Sequence, residues 1–369
     1  MPGETAEVVI VGGGVTGASA AFHLAEIGIT DVVLLERDAL ASGSTSKSAG
    51  GIRAQFADEL NIRIALRSID EFSHFEDRVG GAIDYEQTGY LFLLDDDRDL
   101  ARFREALALQ ASLGVPSREL TASEAAAVVP QLDLDGIVGA TFGALDGRAT
   151  PEAVVSGYAA AARSRGVRIR QCATATGIEV RDGRVLSVDT TAGRISTATV
   201  VCAAGVWSGE VAALAGVHIP VKGERRWMHY TPERDGLPPS VPLTVDFSSG
   251  FYFHGEGPGI AFGGREAGLE DLAAHAARRL PVLADLPIRN SWWGYYEMSP
   301  DHNAIVGETS EPSRLLYATG FSGHGFQQSP AVGEHLAELV AGREPTLDLS
   351  PFSLERFEHG ETREETFVI

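Results

Sequence analysis

The chain has 369 residues, 44% hydrophobic and 22% charged, which excludes a disordered or fibrous protein and leaves room for two domains. Its 30 Lys and Arg stand against 51 Asp and Glu, a net charge of −21, so most of the surface repels nucleic acid and anionic lipid. Cys172 and Cys202 lack a CxxC partner, which argues against a disulfide framework or a cysteine metal site; both sit in strand-like runs and read as buried thiols.

No basic stretch precedes the first apolar run, and no run is long enough to span a membrane, so the expected address is the cytoplasm. Glu7–Val11 predicts a strand buried on both faces, residues 15–28 a helix stopped by Gly28, and Val32–Leu35 a second strand ending at Glu36. Together they make a βαβ unit. Residues 38–53, rich in Gly, Ser and Ala, predict a loop, and 58–79 a helix. From about residue 83 the character changes: Tyr85–Leu94 predicts paired strands, Arg98–Leu113 a helix, and Thr121-Ala-Ser-Glu124 a capping box opening another.

Pro151 opens a helix that runs to about Arg165. Val167–Arg170, Thr174–Val180, Val185–Thr191 and Ile195–Ala203 predict strands, with Asp182-Gly183 as a hairpin turn. Residues 219–232 and 243–264 are strand-like, and Leu280–Pro287 is a connection. Leu315–Thr319 predicts a strand, 330–342 a helix closed by Gly342 with Glu334 and His335 on a solvated face, and the charged tail from Glu355 loose packing.

Gly12-Gly13-Gly14-Val15-Thr16-Gly17 fits GxGxxG in the setting that gives it meaning, after a strand and at the start of a helix. Gly12 permits the tight turn, Gly14 lets backbone approach a pyrophosphate, and Gly17 allows close helix–strand packing. Glu36 then accepts from ribose hydroxyls, and its charge disfavours a 2′-phosphate. The fingerprint alone does not separate NAD from FAD. Ten histidines occur without an HExxH or other ligand spacing, so no metal is expected.

Three later stretches make the choice. They are Ser42-Gly43-Ser44-Thr45-Ser46, Val200 to Ser208 (Val-Val-Cys-Ala-Ala-Gly-Val-Trp-Ser), and Ala318 to Phe326 (Ala-Thr-Gly-Phe-Ser-Gly-His-Gly-Phe). In that order they resemble the D-amino-acid oxidase superfamily of flavoproteins, over residues 7 to 342. Gly320 to Gln328, followed by Ser329-Pro330-Ala331-Val332-Gly333, is most similar to the sarcosine oxidase β-subunit and proline dehydrogenase branch, whose members include proteins linked to respiratory-complex assembly.

The resemblance implies an α/β fold: a Rossmann-like FAD-binding domain from about 1–80, 145–220 and 300–369, and a substrate domain with an antiparallel β-sheet and flanking helices from 81–144 and 221–299. It implies FAD held by Gly12, Gly14, Val15, Thr16, Gly17, Glu36 and Arg37, and by Ser44, Thr45, Ser46, Lys47 and Gly51. Ala175, Ala204, Gly205 and Trp207 join them, with Gly320, Gly323, His324, Gly325, Phe326 and Gln327 at the flavin end. Lys47 stands where some relatives carry a flavin-linked histidine and Gly294 where others carry a flavin-linked cysteine, which favours noncovalent FAD.

The implied chemistry is hydride transfer from a carbon bearing an amine, with a small-molecule amine as substrate and O2 or another acceptor for the electrons. Arg53 matches an arginine that holds substrate carboxylates, while Gln327 replaces the lysine that completes that clamp. Tyr252 and His254, on one face of a strand, and His324 are further candidates, as are Arg225, Arg226 and Trp227. Ala261 replaces a lysine that favours reaction with oxygen. A 2-hydroxy-acid dehydrogenase and a non-catalytic flavin-bound assembly module are the alternative readings.

Overall fold

The computed structural model describes residues 4–232, 240–265 and 268–368. A six-stranded sheet carries the fingerprint. Across it run Ile305–Glu308, Leu315–Thr319, Thr199–Cys202, Val8–Val11, Val32–Leu35 and Arg168–Arg170. Every pair is parallel except the first, an antiparallel edge. The inner strands are buried on both faces, which is why they read as unbroken aliphatic runs rather than alternating ones.

Helix Val15–Glu26 crosses from the first strand to the second and packs against Pro151–Ser164 and Gly325–Val340. These contacts depend on missing side chains. A Cβ on Gly17 would overlap the Gly12 carbonyl, and one on Gly333 would overlap the Ser19 hydroxyl. Val8, Ile10, Leu24, Leu34, Val201 and Leu336 meet in the core beneath.

The second large sheet has eight strands, in the order Asn290–Met298, Lys222–Thr231, Gly259–Gly264, Tyr252–Glu256, Leu243–Asp246, Tyr90–Leu94, Gly139–Gly143, Arg118–Leu120. Only Leu243–Asp246 and Tyr90–Leu94 pair in parallel. Helices Asp97–Ser112, Ala122–Val128 and Leu269–Arg279 flank it. The expected fold class, a Rossmann-like unit beside a mainly antiparallel sheet, is the one observed.

Several local expectations need correction. Ile195–Ala203 is two strands in different sheets: Gly193–Ser196 joins a small four-stranded sheet, and Thr199–Cys202 the central one. The Thr197 hydroxyl, bonded to the Glu7 and Thr199 carbonyls, fixes the break that the apolar pattern runs through. Only Tyr90–Leu94 of the predicted strand pair is a strand, because Gly89 turns the chain at φ +86°. The helical stretch 58–79 is broken at His74 into Glu59–Ser73 and Phe75–Arg78.

The last long helix starts at Gly325, not 330, and takes Pro330 inside it. Proline cannot donate to the Phe326 carbonyl, and the Ser329 hydroxyl does so instead at 2.8 Å. His335 on that helix is buried against the Leu347 carbonyl, and Glu334 pairs with Arg67. Cys172 is exposed at φ +55°, in a turn rather than a strand; Cys202 is buried.

The tail is anchored rather than loose. Arg356 makes a two-pronged bond to Asp301 at 2.8 and 2.9 Å, Glu365 is buried, and Phe367 stacks on Phe103 with centroids 4.0 Å apart. The Thr121–Glu124 capping box and the 182–183 turn form as predicted; Asp182 and Gly183 both have positive φ, as the tightest hairpin turn requires.

Candidate functional site

The parallel strands end beside one cavity of about 440 Å3, walled on its other side by the eight-stranded sheet. Such cavities hold ligands in open α/β sheets, outside the carboxyl ends of the strands. Gly12 follows the first strand at φ +118°, where a Cβ would overlap the Ala203 carbonyl. Gly14, Val15 and Thr16 line the wall at the start of the first helix, whose opening N–H groups have no carbonyl within the helix. The Val15 amide donates to the Thr45 hydroxyl at 3.1 Å, so the 42–47 loop is latched to that helix end.

Glu36 ends the second strand with its carboxylate held by the Gly13 and Asp38 amides, each at 2.8 Å. Its remaining lone pairs are fixed in place for hydroxyl donors from a ligand. The Arg37 guanidinium lies 4.3 Å above the Trp207 ring on the same wall, near Ala175, Ala204 and Gly205. A side-chain-free cradle at a helix N-terminus, continuing to a pinned carboxylate, fits the diphosphate and ribose of FAD.

Toward the other end the wall is formed by Ser44, Lys47, Gly51, Gly323, His324, Gly325, Phe326 and Gln327, facing Tyr90, Arg226, Met228, Tyr252 and Tyr296. The Gly325–Val340 helix thus begins at the cavity, and its first-turn amides face that end. Lys47 packs its stem over Gly294: a Cβ there would lie 2.5 Å from that of Lys47, while the Trp292 indole donates to the Lys47 carbonyl at 3.3 Å.

Arg53 is buried on this wall with much of its donor set engaged. Nη1 donates to the Gln55 carbonyl, and Nη2 to the Phe367 carbonyl at 2.6 Å and to His324 Nε2 at 3.0 Å. Its amide is fixed by Gln327 Oε1 at 2.7 Å. Since arginine only donates, His324 Nε2 accepts and the ring proton sits on Nδ1. Burial, then the Arg53 and His302 charges, push the His324 pKa well below its ordinary value, so the ring is neutral.

Behind Arg53, Asp146 accepts from the Ala54 amide at 2.7 Å and from Gln55 Nε2 at 2.9 Å; burial raises its pKa to about 7 against those bonds. Glu297, on the cavity wall, is likewise raised to about 7 by burial, although Thr319 donates to it at 2.8 Å and the Gly320 and Phe321 amides oppose the rise. Burial also raises the phenol pKa values of Tyr90, Tyr252 and Tyr296, and the Tyr252 hydroxyl reaches Met228 Sδ at 3.0 Å.

Six expected residues lie off the wall among the described residues: Gly17, Ser46, Gly320, His254, Arg225 and Trp227, the last stacked on His229 with centroids 6.3 Å apart. Gly17 faces Gly12 within the fold, Ser46 bonds back to Ala41, and Gly320 turns its Cα toward Ile305 and Ser299. His254 shares a strand face with Tyr252 but lies two residues farther along, buried with Nδ1 near the Gly255 carbonyl. Of the arginine pair, Arg226 lines the cavity, whereas Arg225 sits over the exposed Trp293 ring at 4.7 Å. Tyr90, Met228, Tyr296 and Glu297 were not singled out from sequence; an acid directly after the aromatic run Trp292–Tyr296 was the available signal for the last.

The family model described as FAD dependent oxidoreductase matches residues 7–339. The chain is 28% identical over 387 residues to sarcosine dehydrogenase, mitochondrial, of Mus musculus, covering 97% of this chain but only 42% of that protein's length. It is 30% identical over 373 residues to sarcosine oxidase subunit beta of Rhizobium meliloti (strain 1021), covering 96% and 89%. The solved L-proline dehydrogenase from P. horikoshii superposes with a TM-score of 0.91 at 32% identity, over 98% of this chain and 100% of that one. A match along nearly the whole length, on a fold whose strands converge on a dinucleotide cradle, makes this chain a member of the DAO family of FAD-dependent oxidoreductases.

Proposed function

We propose that the chain oxidises the C–N bond of a secondary or N-substituted amino acid to an imine, with FAD bound noncovalently. The relatives reported above are named for sarcosine and L-proline, both secondary amino acids. The observation that carries the reading is the far end of the cavity, where Tyr90, Tyr252 and Tyr296 surround a space bordered by Arg226. Rings favour a small amine with its carbon chain, and the cation favours an attached carboxylate.

When bound, FAD supplies the hydride acceptor for the carbon next to nitrogen. The chain's own part is binding and exclusion of water. The three protonated phenols offer hydrogen bonds without adding negative charge. The apolar wall disfavours an ammonium, so it lowers the cost of the neutral amine whose lone pair forms the C=N bond. His324, a neutral ring with Nε2 committed to Arg53, orients that wall and is not assigned as a base. The helix opening at Gly325 places its positive end toward this side of the cavity.

Anaerobic titration of the FAD-loaded protein with sarcosine, L-proline and other N-alkyl amino acids tests the reading. Bleaching of the flavin by one of these is the expected result, and readmitting air then shows whether O2 accepts the electrons. Bleaching by 2-hydroxy acids alone overturns the proposal. A flavin that none of these compounds reduces supports the assembly-module alternative.

A further inference from the structure

Of the three arginines on the cavity wall, Arg37 lies at the Trp207 end, and the hydrogen bonds of the other two, Arg53 and Arg226, differ in a way that decides which can hold a ligand carboxylate. A guanidinium grips a carboxylate through two parallel N–H groups, either Nε with one Nη or the two Nη together. At Arg53 both Nη2 hydrogens are taken, by the Phe367 carbonyl at 2.6 Å and His324 at 3.0 Å, and Nη1 donates to the Gln55 carbonyl. Nη2 belongs to both possible forks, so both are closed. The same guanidinium lies 4.0 Å over the Phe56 ring, which holds its plane. Arg53 therefore ties the cavity wall to the C-terminal tail.

Arg226 is the opposite case. Its side chain is 13% exposed, its Nε is buried without a hydrogen-bond partner, and it faces the cavity beside Met228, Tyr252 and Tyr296. Its hydrogen bonds leave one Nη2 hydrogen over: Nη2 donates to Glu224 at 3.0 Å, and Nη1 to the Arg225 carbonyl at 3.3 Å. Glu224 itself is 52% exposed, so that pair faces water and does not fill the pocket side. The Tyr296 ring sits 5.0 Å from the guanidinium carbon and limits its swing. A buried unpaired donor is costly unless something completes it.

We propose that Arg226, rather than Arg53, is the substrate-carboxylate anchor, gripping through Nε and Nη2 and making the cavity selective for amino acids over plain amines. This rests on the amino-acid reading of the cavity. It also sets the substrate's orientation: carboxylate toward the Lys222–Thr231 strand, nitrogen and its substituents among the tyrosines.

The test is equilibrium binding to the FAD-loaded protein, followed by the change in flavin absorption and requiring no turnover. The probes are pyrrole-2-carboxylate and pyrrole, which differ by the carboxylate alone. Wild type should bind the acid more tightly than pyrrole. Arg226→Gln should weaken the acid on the order of 10- to 100-fold, the worth of hydrogen bonds to a charged group, with FAD content and melting temperature retained. Arg226→Lys should recover part of the loss, because a lysine supplies charge without the fork.

Unchanged acid binding in Arg226→Gln overturns the proposal, as does loss of FAD from that variant or failure of the wild type to prefer the acid. A protein that binds the acid through Arg226 yet is reduced by no amine would refute the oxidation reading and leave the anchor standing.

Discussion

Glu297 is a carboxyl on the cavity wall that burial holds near pH 7, and it makes the site sensitive to small changes of acidity. Below that value the group is neutral; above it a charge appears on the wall of the cavity that would hold FAD. The absorption of bound FAD should therefore shift with a midpoint near 7, and Glu297→Gln should abolish the shift while keeping an acceptor for Thr319. The same midpoint in the variant would assign the titration elsewhere. The stability consequence has a definite sign. Asp146 and Glu297 are both raised above their unfolded values, so the unfolded chain loses its protons first. Their contribution is complete below about pH 4, declines as pH rises, and is gone above about pH 7. At this scale sequence carried the glycines and Glu36, whose roles follow from local spacing. Arg53, Arg226 and Glu297 could not be ranked, because their partners come from Phe367, Tyr296 and Thr319, far off in the chain.

Two glycines on crossing helices separate cofactor binding from folding. Gly17→Ala pushes a methyl into the Gly12 carbonyl, which shapes the cradle, whereas Gly333→Ala pushes one into Ser19 away from the cavity wall. The first substitution should reduce FAD content of the purified protein at least about tenfold, a distortion cost of only about 1.4 kcal/mol at the site. The second should lower the unfolding free energy by about 1–3 kcal/mol with FAD still bound, since overpacking is its only fault. Equal FAD content in both variants would deny Gly17 its part in shaping the cradle. The strand–helix–strand opening was legible because periodicity over a dozen residues is a local signal. The start of the last helix was not, because Pro330 reads as a helix beginning and its tolerance inside the helix depends on Ser329. Likewise no pattern within Ile195–Ala203 announces that the chain changes sheets there.

Across the whole molecule, the tail joins both large sheets to the cavity. Phe367 stacks on Phe103 of the helix beside the eight-stranded sheet, while its carbonyl receives Arg53 from the cavity wall. Phe367→Ala should cost about 3–5 kcal/mol in denaturant unfolding, the usual loss for a buried phenylalanine. A change under about 1 kcal/mol would mean that the tail is not a structural strap. Charge density led the sequence reading to a loose tail, and what overrode it is long-range: Asp301, Asn61 and Phe103 are the groups that bury Arg356, Glu365 and Phe367. One further consequence lies in where the indoles sit. All four tryptophans of the chain, Trp207, Trp227, Trp292 and Trp293, are on the cavity wall or on the two paired strands that carry Arg226 and Tyr296. Their emission overlaps the absorption of a flavin, so loading and release of the cofactor should be readable as quenching and recovery of the protein's own fluorescence, without a label.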